Sequence, residues 1–95
     1  MKVVIQFDIG ADIIEIPEVS EKTLKEYQNR FLAWLSDKSN DHEYWVIIDD
    51  EKYGLSYRSC ALVEWLNQFV YDNDEAVLLD QGLYEWDTTL PRLFF

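Results

Sequence analysis

Residues 2–9 read KVVIQFDI, and their alternation decides the fold class. Val3, Ile5, Phe7 and Ile9 fall on one face of an extended chain, with Lys2, Val4, Gln6 and Asp8 on the other. A period of two with β-branched residues marks a half-buried strand. Just downstream, Gly10-Ala11-Asp12 reads as a turn and Ile13 to Ile16 as a second strand ended by Pro17. The pair is expected to form a hairpin.

The period then changes. Ser20 is placed to cap a helix, its hydroxyl accepting a free amide one turn in, and Val19 can pack on Leu24 across the helix start. Leu24, Tyr27, Phe31, Trp34 and Leu35 recur at steps of three and four, while Lys22, Lys25, Glu26 and Arg30 lie mostly opposite. That spacing predicts an amphipathic helix of about four turns, ending in the polar stretch Ser36 to Glu43. Tyr44 to Ile48 is aromatic and β-branched, hence a strand. Asp49-Asp50-Glu51-Lys52 reads as a turn and Tyr53 to Ser56 as a short return. A second helix is expected from about Ser59 to Tyr71, with Leu62, Val63, Leu66, Phe69 and Val70 on its apolar face and Asp72-Asn73-Asp74 as its stop. Ala76 to Leu79, the turn Asp80-Gln81-Gly82 and Leu83 to Trp86 read as a last hairpin; the tail TTLPRLFF, residues 88–95, shows no period. The order β-β-α-β-β-α-β-β suits one small two-layer α+β domain over residues 1–95. It would have a mainly antiparallel sheet with both amphipathic helices on one face.

Composition narrows the function. Of 95 residues 48% are hydrophobic and 16% aromatic, too many for a disordered acidic linker. Nineteen acids against eight bases leave a net charge of −11. Phosphate contacts need clustered Lys and Arg, so direct nucleic-acid binding is not expected, nor is binding to an anionic membrane surface. No apolar run approaches the ~20 residues of a membrane span. Asp8 also comes too early for a signal peptide's apolar region of roughly 7–15 residues. With Cys60 alone, no intramolecular disulfide can form, which fits a reducing cytoplasm.

Few residues invite chemistry. His42 is the single histidine, between Asp41 and Glu43, whereas a zinc site needs three or four converging ligands. It reads as solvated loop charge. Cys60 starts the second helix, where a helix N-terminus can lower a thiol pKa. Without a histidine or a resolving cysteine beside it, it reads as a small buried hydrophobe. Asp49-Asp50-Glu51 and Asp72-Asn73-Asp74-Glu75, followed by Asp80, lack the glycine and distal glutamate of a calcium loop and read as turns. No phosphate-binding glycine motif, nucleophile elbow or metalloprotease signature occurs. No cofactor or metal is expected, and a binding protein is favoured over an enzyme.

The charge distribution is more telling. Residues 1–48 hold nine acids and five bases, residues 49–95 ten acids and three bases. From Ser59 to Pro91 there are seven acids and no base. Those acids, Glu64, Asp72, Asp74, Glu75, Asp80, Glu85 and Asp87, together with Tyr71, are the expected partner-binding residues. Alternation in Leu83 to Asp87 sets Glu85 and Asp87 towards water and Tyr84 and Trp86 towards the covered side. A modest negative charge keeps a small protein monodisperse, but −11 adds self-repulsion that a basic partner would offset. In type, such a chain looks like the acidic inhibitors that bacteria and phages direct against basic, nucleic-acid-handling proteins. The expectation is an immunity- or antitoxin-type protein, monomeric or weakly dimeric, that fills the positive groove of a toxin. Alternatives are a phage-borne DNA mimic and an accessory subunit held through the apolar tail Leu90-Pro91-Arg92-Leu93-Phe94-Phe95.

Overall fold

A computed structural model describes all residues from Met1 to Phe95. The chain forms β1 (Lys2–Gln6), β2 (Ala11–Glu15), α1 (Glu21–Ser36), β3 (Trp45–Ile48), β4 (Glu51–Leu55), α2 (Ser59–Phe69), β5 (Val77–Leu83) and β6 (Arg92–Phe94). It is a small α+β fold in which both helices cover one face of a four-stranded sheet ordered β5-β2-β1-β6. β3 and β4 pair only with each other.

The alternation of residues 2–9 places the core. β1 and β2 pair antiparallel with Val3 opposite Ile14 and Ile5 opposite Asp12, so these four share the helix-covered face. Val3, Ile5, Ile14 and Ile16 pack with Leu24, Phe31 and Leu35 of α1 and with Ala61, Leu62, Trp65 and Leu66 of α2. Phe31 is fully buried at the centre of an aromatic cluster, its ring 5.8 Å from Tyr57, 5.9 Å from Trp65 and 6.1 Å from Phe95. α1 starts as its sequence dictates: the Thr23 amide donates to Ser20 Oγ at 3.2 Å. The apolar stripe of α2 runs along Ala61, Leu62, Trp65 and Leu66, leaving Phe69 46% exposed. The helix ends at Phe69, two residues before the expected Tyr71.

Several expectations fail at the ends of the sheet. β1 stops at Gln6, so Phe7 is half-buried and Ile9 projects into solvent. β2 begins at Ala11, which makes Asp12 a strand residue, buried on the core face. The expected hairpin 76–86 does not form. Instead, β5 runs straight through Asp80-Gln81-Gly82, with register irregularities against β2 and Gly82 at φ +65°. A glycine at positive φ absorbs a bulge without strain, so the residues that suggested a turn serve an irregular strand. Tyr84, expected on the covered side, is 82% exposed.

The tail supplies the missing edge. β6 pairs parallel with β1, so the sheet is mixed. Leu93 is buried in the core, and Phe95 stacks on Phe7 at 5.8 Å. The connection from β5 passes β2 and β1 to reach this edge, and the Val4 amide donates to Pro91 O at 2.8 Å. Val4 points away from the helices yet is buried. Because the tail packs inside the fold, the accessory-subunit reading keeps only Phe94 as an exposed apolar residue.

Candidate protein-binding surface

Three places bring polar groups together, and the first is structural. Asp12 lies under the start of α2, where Ser59 Oγ donates to its Oδ2 while Arg58 Nη2 (3.0 Å) and the Gly82 amide (2.9 Å) donate to Oδ1. Burial alone would push this carboxyl up, but the Ser59, Gly82 and Arg58 donors outweigh it and hold the group below its ordinary value. One side chain thereby ties β2, α2 and β5 together. Cys60 stands beside it on the rim of a depression of about 520 Å³ and is exposed. The expected buried thiol is therefore wrong, because the α2 stripe centres on 61, 62, 65 and 66 and turns position 60 outward.

The second place is the junction of α1, α2 and the β3–β4 ribbon. His42, expected as solvated charge, is half-buried and central to this junction. Its Nε2 donates to Leu35 O at 2.7 Å, one of the free carbonyls at the end of α1, and the Tyr44 amide donates to its Nδ1 at 3.2 Å. These partners place the proton on Nε2. The ring lies 4.8 Å from Trp34 and stacks on Trp45 at 5.1 Å with 6° between planes. Trp45 Nε1 donates to Asn40 O at 2.7 Å, and Lys52 Nζ donates to Lys38 O and to Asp41 Oδ1, both at 2.5 Å. Tyr44 OH donates to Glu64 Oε2. Burial first, then the charges of Glu64 and Glu43, push the Tyr44 phenol far above its ordinary value. Beneath these residues runs a groove of about 500 Å³, lined by Trp34, Tyr44, Trp65 and Phe69 and by the carboxylates Asp41, Glu43 and Glu64.

The third is the acidic stretch 59–91. The structure unites only part of the expected set. Glu64, Asp72 and Asp74 line one shallow polar concavity with Asn67, Gln68 and Asn73, and Glu64 joins it to the aromatic groove. Asp80 stands on β5, opposite Ile13. Glu85 lies beside Tyr84 and Trp86, and Asp87 sits in a separate depression with Leu90 and Arg92. Asp87 also accepts from the Thr89 hydroxyl and amide, which lowers its pKa. Glu75 is exposed, whereas Tyr71 packs edge-on against Tyr27 at 6.4 Å. Burial, with the charges of Tyr27 and Glu75, pushes the Tyr71 phenol up to about 12. Tyr71 is thus largely a packing residue.

Sequence reasoning missed the aromatic groove. The sign was there in Trp34, His42, Tyr44 and Phe69, but their convergence depends on how the helices and the 40–44 loop dock. No group of three or more His, Cys, Asp and Glu side chains converges as a metal site would require, and no helix is long and apolar enough to cross a membrane. No family model matches the chain, and no similarity to curated proteins or to solved structures was found.

Proposed function

We propose that the protein is a non-catalytic, acidic inhibitor of the immunity or antitoxin type, acting in a reducing cytoplasm. It binds a basic, nucleic-acid-handling protein and covers that partner's positive groove. One observation carries this reading: of nineteen acidic side chains, only Asp12 and Asp41 are in ion pairs. The others confront solvent and one another on a body with a radius of gyration of 13.7 Å. Such unbalanced charge lowers the stability of the free protein, and complementary charge steers a partner onto it. Glu64, Asp72 and Asp74, beside the exposed Phe69, join carboxylates to an apolar anchor, the composition of an interface centre and its rim.

The test is association with a basic protein captured by a pull-down from the native cytosol at low salt, followed at low and at physiological ionic strength. As the Debye length shrinks to about 8 Å, the on-rate is expected to fall steeply. Glu64→Gln, Asp72→Asn and Asp74→Asn together are expected to slow association at least ~10-fold at low salt. Association indifferent to salt would overturn the reading. So would a hydrolytic activity abolished by replacing His42 or Cys60 with the fold intact.

A further inference from the structure

We propose that the groove between α1, α2 and the 40–44 loop is a receptor for a single arginine side chain of the partner. The inference rests on the basic-partner reading above and gives it a contact site. The groove combines two features that a guanidinium requires. Its walls include the planar rings of Trp34, Tyr44 and Phe69, and its rim holds Asp41, Glu43 and Glu64. A guanidinium stacks on aromatic faces and pairs with carboxylates through a planar fork, whereas an ammonium is a more strongly hydrated point charge. About 500 Å³ is ample for one arginine and its flanking backbone.

Charge complementarity favours a cation from outside the chain. None of the lining residues is Lys or Arg. His42 engages both ring nitrogens within the chain, Nε2 with Leu35 O and Nδ1 with the Tyr44 amide, so it offers no free donor to the rim carboxylates. Tyr44 commits one Glu64 oxygen and leaves the other free to accept. Asp41 is already engaged by Lys52, which leaves Glu43 and Glu64 as the unneutralised pair. The protein's own cations also take aromatic faces: Arg30 lies 5.4 Å from the Trp65 ring, Arg58 4.4 Å from Phe7, Arg92 5.6 Å from Phe94 and Lys52 5.5 Å from Trp45. All three of its arginines are thus on aromatic faces, and none lines the groove.

The probes are three capped tripeptides, Gly-Arg-Gly, Gly-Lys-Gly and Gly-citrulline-Gly, titrated against the full chain by NMR. Citrulline keeps the shape and removes the charge. The arginine peptide is expected to shift the Trp34 and Phe69 resonances saturably, the lysine peptide more weakly and the citrulline peptide not at all. Glu43→Gln with Glu64→Gln, both at exposed positions, is expected to weaken arginine-peptide binding at least ~10-fold. Phe69→Ala serves as a second variant should that pair perturb the fold. Equal shifts with citrulline, or shifts confined to residues 72–87, would overturn the proposal. The two readings also separate on the protein partner. If salt-dependent association survives undiminished in Glu43→Gln/Glu64→Gln, the arginine receptor is wrong and the inhibitor reading stands. If no basic partner associates while the arginine peptide still binds, the receptor stands and the inhibitor reading falls.

Discussion

The chain makes two antiparallel hairpins of similar apolar character, β1–β2 and β3–β4, and gives them opposite fates. In the first, Val3, Val4, Ile5 and Ile14 are all buried. In the second, Val46, Ile47 and Ile48 are 39%, 53% and 49% exposed. Local preference is alike, because β-branched residues favour an extended chain in both. Their neighbours differ. β1 and β2 have a strand on each outer edge and two helices above them, so each buried side chain gains roughly 1.5–3 kcal/mol from leaving water. An isolated two-stranded ribbon is marginal in water. The second hairpin persists because its base is fixed by Trp45, Lys52 and the His42 stack. Hydrophobic sequence makes a strand; adjoining strands and helices make it core.

The largest expected effect comes from one truncation in each hairpin. Ile5→Ala should cost about 2–5 kcal/mol because it leaves a cavity among fixed neighbours. Ile47→Ala should lie within about 0.5 kcal/mol of the wild type, as surface changes do. Denaturant midpoints measure both, and similar losses at the two sites would mean that β3–β4 is as deeply packed as β1–β2.

The hairpins also treat their acids differently, which sharpens the contrast through pH. Asp12 in β2 is buried with three kinds of donor, whereas Asp49 and Asp50 at the β3–β4 turn are exposed. Asp12's folded-state pKa lies below its unfolded value, so its stabilising contribution is present above the ordinary carboxylate range. That contribution is lost as pH falls through the depressed folded value. Asp12→Asn should cost about 1–3 kcal/mol at neutral pH, since it removes the charge that three donors address. The gap between variant and wild type should close as pH drops below about 4. A gap that stays constant to low pH would show that Asp12 acts by shape rather than charge.

The smallest effect is at the tip of the exposed ribbon. Asp49 and Asp50 both adopt positive φ, 51° and 62°, as a two-residue hairpin turn with mirror-image geometry requires. Glycine is favoured at the second of these positions, so Asp50→Gly should raise stability by up to about 0.5 kcal/mol. A small rise in melting temperature checks this; a fall would mean that the Asp50 side chain supports the turn.

What the sequence determined by itself is local. The period of two in residues 2–9, the three-and-four spacing from Leu24 to Leu35 and the Ser20 cap each depend on neighbours a few residues away. They marked the strand, the helix and the helix start. Where a signal had two physical causes, the sequence could not separate them. Asp80-Gln81-Gly82 reads as a turn but serves an irregular strand, because glycine at positive φ suits both. Asp12 reads as a turn residue but is buried, because only α2 and β5 bring the Ser59, Arg58 and Gly82 donors to it. The tail had no readable period, since three strand residues are too few to show one and their partner β1 lies at the opposite end of the chain. For the proposed binding surface, the sequence supplied the charge and the aromatic residues. Tertiary structure alone decided that Glu64, Asp72 and Asp74 meet while Glu85 and Asp87 stand apart, and that Trp34, Tyr44 and Phe69 converge on one groove. Convergence is a long-range property: it is set by helix packing and ribbon docking, which no local pattern encodes.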